Sequence, residues 1–96
     1  MHAVVRHYSG QGASQLFGEI EAQLNGVEEA IRSVPGVVTY TLLRTDNGGM
    51  SITVCQDKSG ADESVRVAAE FISKNCTAQA NPPVVSEGAT ILHINP

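Results

Sequence analysis

The 96 residues, 42% apolar and 17% charged, describe a globular chain, expected to form a single domain over residues 1–96, and exclude a disordered tail. Ten acidic against six basic side chains give a net charge of −4 with Lys and Arg scattered singly, so no phosphate-binding footprint exists and no nucleic-acid partner is expected. No apolar run approaches a membrane span and no signal-peptide pattern opens the chain, which reads as cytoplasmic, with no membrane partner and with Cys55 and Cys76 as reduced thiols.

His2 to Tyr8 are rich in β-branched and aromatic types and stop at Ser9-Gly10-Gln11-Gly12, which predicts a strand and a turn. Gly10-Gln11-Gly12 has part of a dinucleotide fingerprint, but the third glycine is missing, so a turn is the better reading. From Ser14 to about Ser33, Leu16, Phe17, Ile20, Leu24, Val27 and Ile31 recur at three- and four-residue steps, predicting one amphipathic helix. Gly18 and Gly26 each weaken it by about 1 kcal/mol relative to Ala, so packing must hold it until Pro35-Gly36 ends it.

Two alternating runs, Val37 to Arg44 and Met50 to Gln56, flank Thr45-Asp46-Asn47-Gly48-Gly49; the Asn-Gly pair predicts a hairpin turn with positive φ. Ser59-Gly60-Ala61-Asp62 has capping-box spacing and leads into a second helix to about Asn75, with Ala61, Val65, Ala68, Ala69, Ile72 and Cys76 as its buried stripe. Val67 and Phe71 lie on nearly the opposite face and call for a cover, for which the Pro82-Pro83 segment is one candidate. Ala80-Asn81-Pro82-Pro83 must be extended, Val84 to Glu87 continues that path, and Ala89 to Ile94 is expected to be the last strand.

This order, β-α-β-β-α-β, is the ferredoxin-like α+β plan: a four-stranded antiparallel sheet with both helices on one face. In the hairpin, Val38, Tyr40, Leu42, Ile52 and Val54 are expected beneath the helices, and Thr39, Thr41, Leu43, Ser51, Thr53 and Cys55 on the bare face. That outward set is small and semi-polar, as in the lining of a cleft. Two such sheets packed face to face about a two-fold axis would bury it, so a homodimer through the open sheet face is expected, with Cys55 and Cys76 on opposite sides.

Over essentially its whole length the chain resembles the dimeric α/β-barrel superfamily, in particular antibiotic biosynthesis monooxygenase-like domains. The likeness rests on the β-branched first strand, the amphipathic helix ending in Val34-Pro35-Gly36-Val37, the hairpin, the second helix and the late strand. It implies a homodimer with a pocket between sheet and helices. Some relatives oxidise polyphenols without a metal or flavin, others degrade haem with an Asn, a Trp and a His; this chain has no Trp, which argues against haem degradation.

The candidate site residues are Arg6, His7, Tyr8, Thr39, Thr41, Thr53, Cys55 and His93. The register of the first strand decides whether Arg6 or His7 faces the cleft; Arg6 there would hold an anionic or phenolate group and Tyr8 would donate to it. The alternatives are a surface ion pair for Arg6, packing for Tyr8, and structural hydrogen bonding for His7 and His93. Cys55 is a nucleophile only beside a base and otherwise a small apolar filler. No carboxylate or Cys stands at ligand spacing from a His, so neither a metal nor any other cofactor is expected.

Two functions are in play: a module that binds a small aromatic or apolar ligand, or serves mainly through its dimer surface, without chemistry of its own; or, as the resemblance implies, a cofactor-independent monooxygenase of small aromatic substrates.

Overall fold

The computed structural model describes residues 1–96. Strands β1 (His2–Ser9), β2 (Val37–Thr45), β3 (Gly48–Cys55) and β4 (Val84–Ala89) form one antiparallel sheet in the order β2-β3-β1-β4. Helices α1 (Ala13–Glu21), α2 (Leu24–Arg32) and α3 (Lys58–Asn75) connect them. Leu16, Phe17 and Ile20 of α1 pack on Tyr8 and Leu42, while Ala61 and Val65 of α3 pack on Val4 and Cys55. The strand register puts Tyr8, Leu42, Val4 and Cys55 on the same side of the sheet, so the helices share one face.

The long first helix expected from its periodicity is two helices. Gln23 leaves helical geometry at φ −132°, ψ 31°, and its amide donates to the Ile20 carbonyl at 2.9 Å, a shortened turn. Its side-chain amide donates to the carbonyls of Glu19 at 3.2 Å and Asn75 at 3.0 Å. A side chain that captures a backbone acceptor at this corner, and ties it to the end of α3, is sufficient cause for the break.

Thr45 pairs with Gly48, so the hairpin loop is Asp46-Asn47, and neither residue takes positive φ. The left-handed Asn-Gly turn expected from the sequence is therefore not formed. A two-residue loop pairs odd-numbered with even-numbered positions: Leu42 lies opposite Ser51 and Tyr40 opposite Thr53. This reverses the expected facing of β3. Ser51, Thr53 and Cys55 are buried beneath the helices, and Ile52 and Val54 join Thr39, Thr41 and Leu43 on the other face. The small β3 residues let the helices approach closely. A Cβ on Gly49 would fall inside the Phe17 ring.

Helix α3 starts earlier than its capping-box letters imply. Asp57 is the cap, its Oδ1 accepting from the Gly60 amide at 2.9 Å, and Asp62 instead pairs with Lys58 at 3.0 Å. The buried stripe shifts accordingly: Gly60 and Ser64 are inside, and Ala69 is exposed. Phe71 is covered by α2 rather than by Pro82-Pro83, with Gly26 so close that a methyl there would stand 3.1 Å from Phe71 Cε2.

The last strand is Val84–Ala89, not Ala89 to Ile94. It pairs with β1 from His7↔Val84 to His2↔Ala89, and a final bond joins the Thr90 amide to the Met1 carbonyl at 2.9 Å. Past this last bond Ile91, Leu92 and Ile94 stand 99%, 76% and 73% exposed. No helix is long and apolar enough to cross a membrane.

Candidate functional site

Strand β1 carries Val4, Arg6 and Tyr8 on the helix-covered side, where alternation makes all three buried. Arg6 is only 4% exposed, and none of the ion pairs in the chain includes it. Its Nη1 donates to the Tyr8 hydroxyl at 2.9 Å, and its guanidinium carbon lies 5.8 Å from the Tyr8 ring centre. The Tyr8 ring in turn meets Phe17 edge-on, 5.6 Å between centroids, which fixes the phenol from behind.

A guanidinium has five donors in a fixed fork, and Tyr8 satisfies one. Directly across the ladder from Arg6 is Ser51, whose Oγ is buried and has no hydrogen-bond partner in the protein. Thr53 Oγ1, opposite Tyr40, is likewise unpaired. Burial pushes the Tyr40 phenol up, against the pull of the Arg6 charge and of a hydrogen bond from Arg6, so Tyr40 stays neutral and is a second phenol partner of the guanidinium.

Arg6, Tyr8, Tyr40 and Ser51, but not Thr53, line a cavity of about 20 Å³ between the sheet and the helices. Arg6 and Ser51 are the polar residues of its lining; Phe17, Ile20, Ile31, Phe71 and Ile72 are among the apolar and aromatic remainder. The space accommodates little more than one water molecule. Outside it, between α2 and the edge strand β2, lies an open groove of about 640 Å³. Val27, Ile31, Tyr40 and Leu42 line both, so they form the partition between chamber and groove.

The structure thus brings Arg6, Tyr8 and Thr53 to one side of the sheet and sends His7, Thr39 and Thr41 to the other. The expectation that a candidate cleft would lie on the bare face fails for Thr53 and Cys55, which point beneath the helices because of the hairpin register. Cys55 is fully buried beside Val4 and Ala61, away from the cavity lining; burial, then the nearby Asp57 charge, pushes its thiol up. It is a packed, unreactive group. Cys55 and Cys76 are both free thiols. His93 lies past β4, with Nε2 buried and unpaired. No three His, Cys, Asp or Glu side chains converge as metal ligands. Sequence reasoning missed Ser51, which the two-residue loop would have revealed, and Tyr40 and Phe71, which it assigned to the core and to an outer face.

No family model and no curated protein sequence matches the chain. Solved structures do. A protein of unknown function from Nitrosomonas europaea superposes with a TM-score of 0.72 at 14% identity, over 99% of this chain and 92% of that one. The haem degrader MhuD from Mycobacterium tuberculosis, with two haems in its active site, gives 0.66 at 14% identity over 99% and 100%. A dimeric ferredoxin-like protein from an uncultured marine organism gives 0.64 at 8% identity over 99% and 96%.

The chain shares their fold. The ferredoxin-like architecture implied by the resemblance to antibiotic biosynthesis monooxygenase-like domains is the architecture found, with three helices in place of two. Likeness at this level of identity carries no residue roles, so the site rests on the geometry of this chain alone.

Proposed function

We propose that the chain is a small-molecule binding module whose ligand enters between α2 and β2 and reaches Arg6. The observation that carries this reading is Arg6 itself: a permanent cation, 4% exposed, met by the Tyr8 and Tyr40 phenols and by no carboxylate of the chain. Burying an unpaired charge is costly, several kcal/mol even after relaxation. Such a cost persists in a native fold where function requires the charge.

A second copy of the chain belongs on the bare side of the sheet. Val5, Ile52, Leu43 and Val84 occupy that face by register, more apolar than a solvated sheet face. The dimeric state of one ferredoxin-like neighbour supports a dimer, and the apolar face of this chain supports its place. Ligand binding and dimerisation thus use opposite sides of one sheet.

Haem does not suit the residues present. None of His2, His7 and His93 lines the cavity, so no axial histidine faces it, and a space of about 20 Å³ is far too small for a macrocycle. Oxidation of a phenolic substrate is the second reading, favoured by the pairing of the Arg6 cation with apolar walls that exclude water. The substrate would supply the electrons to dioxygen, with Arg6 stabilising its phenolate.

Methyl-resolved NMR with a panel of small aromatic and aliphatic molecules tests the binding reading. Shifts concentrated at Val27, Ile31 and Ile72 support it, and shifts confined to Ile52 and Val84 contradict it. Oxygen uptake with hydroquinones and anthrones, wild type against Arg6→Met, decides the second reading; no uptake by the wild type excludes it for those substrates.

A further inference from the structure

The binding reading leaves the chemical class of the ligand open, and the inner chamber narrows it. We propose that the Arg6 end takes the carboxylate of a small amphipathic acid whose apolar body lies in the groove between α2 and β2; this rests on the cavity being a ligand site. Three observations point the same way.

The first is charge. Arg6 is a buried cation with no anion of the chain beside it, while the other five Lys and Arg side chains, Arg32, Arg44, Lys58, Arg66 and Lys74, each have a carboxylate within 4.0 Å. A carboxylate brings a full negative charge at neutral pH, whereas a phenol must first ionise. The second is geometry. Nη1 is engaged by Tyr8, and the Tyr40 phenol also draws on the guanidinium; the N–H groups that these two phenols leave can meet the oxygens of a carboxylate, which a fork geometry suits.

The third is the unpaired Ser51 hydroxyl. Ser51 is 1% exposed, stands directly across from Arg6, and lines the same chamber. Its O–H can donate to a lone pair of the carboxylate that the fork leaves free, which would satisfy a buried group the protein itself does not. The two spaces would divide the ligand. The chamber of about 20 Å³ marks the place of the head and must widen to take it, and the adjoining groove of about 640 Å³ offers Leu24, Val27, Val37 and Val38 to an apolar body, with Asn25, Glu28 and Arg32 also on its walls. Seating the head requires the partition side chains Ile31 and Leu42 to part.

Calorimetric titration with 4-phenylbutyrate, 4-phenylbutyramide and 4-propylphenol separates the possibilities, with NMR locating each probe. The wild type should bind the acid about tenfold or more tighter than the amide or the phenol. Arg6→Met should abolish that preference, Arg6→Lys should restore part of it, and Ser51→Ala should weaken the acid alone by a few-fold. If Arg6→Met does not fold, Arg6→Lys and Ser51→Ala still carry the comparison. Equal affinities for acid and amide at the cavity would overturn the carboxylate assignment and leave the binding site standing. Preference for the phenol would replace the carboxylate by a phenolate. Absence of all three probes from the cavity would remove both the assignment and the site.

Discussion

Arg6 and Ser51 face each other across the β1–β3 ladder, both beneath the helices, one a cation with no carboxylate partner and the other with its hydroxyl unpaired. Cross-strand neighbours of this kind sit about 4.5–5.5 Å apart at Cβ, close enough to act on one small group. Around them the walls are largely apolar: Arg6 has tyrosine hydroxyls but no anion, and Ser51 Oγ has no partner in the fold. Folding tolerates this pair rather than being driven by it.

The Arg6 site is therefore expected to oppose stability. Arg6→Met keeps the side-chain volume and removes the buried charge, and should raise the free energy of unfolding by about 1–3 kcal/mol, read from urea denaturation. A loss of stability would mean that the guanidinium is satisfied in the folded protein.

Gly26 governs how tightly α2 seats on Phe71. A methyl at this position would stand 3.1 Å from Phe71 Cε2, and Phe71 is half-buried against the cavity, so its ring can yield inward. Gly26→Ala should gain helix propensity of up to about 1 kcal/mol, reduced by that displacement, while weakening ligand binding. A thermal melt and one titration check both parts; unchanged binding would show that Phe71 does not border the bound ligand.

Glu19 ties the segment after α3 to α1 by accepting from the amides of Thr77 and Ala78, both at 2.7 Å. Chiefly the Thr77 amide, against the opposing effect of burial and with help from the Ala78 amide, holds its carboxyl below the usual 4.5. A depressed folded value means the tie contributes fully above pH 4.5 and is lost as pH falls through the lower folded value. The amide shifts of Thr77 and Ala78 should move together below that pH, and Glu19→Gln should flatten the transition.

On the opposite side of the sheet, Ile52→Glu places a charge at the centre of the bare face without touching the cavity lining. Sedimentation velocity at micromolar concentration should show a dimer for the wild type and a monomer for this variant, with ligand binding retained. A wild-type monomer would remove the dimer from the account.

Element types and order were legible because strand and helix periodicities differ, and the strong hydrophobic stripes of residues 14–33 and 61–76 marked the face-sharing helices. What escaped the sequence were features decided by single contacts. The Gln23 break depends on a side chain reaching Asn75, distant in sequence. The facing of Ser51 and Thr53 depends on whether the hairpin loop holds two residues or three, and a one-residue difference moves every β3 side chain to the other face. The end of β4 depends on where β1 begins, not on the β-branched letters after Ala89. For the site, the types Arg6 and Tyr8 were readable as a possible anion clamp, but the isolation of Arg6 from every carboxylate was not, because ion pairing is a property of three-dimensional neighbours.

Most direct of all is a crystal structure grown with 4-phenylbutyrate. The expected density places the carboxylate within hydrogen-bonding distance of Arg6 and Ser51, with the phenyl ring between α2 and β2. An Arg6 side chain turned out to solvent or paired with a carboxylate of the chain, or a ligand found only on the face bearing Ile52, would contradict the assignment.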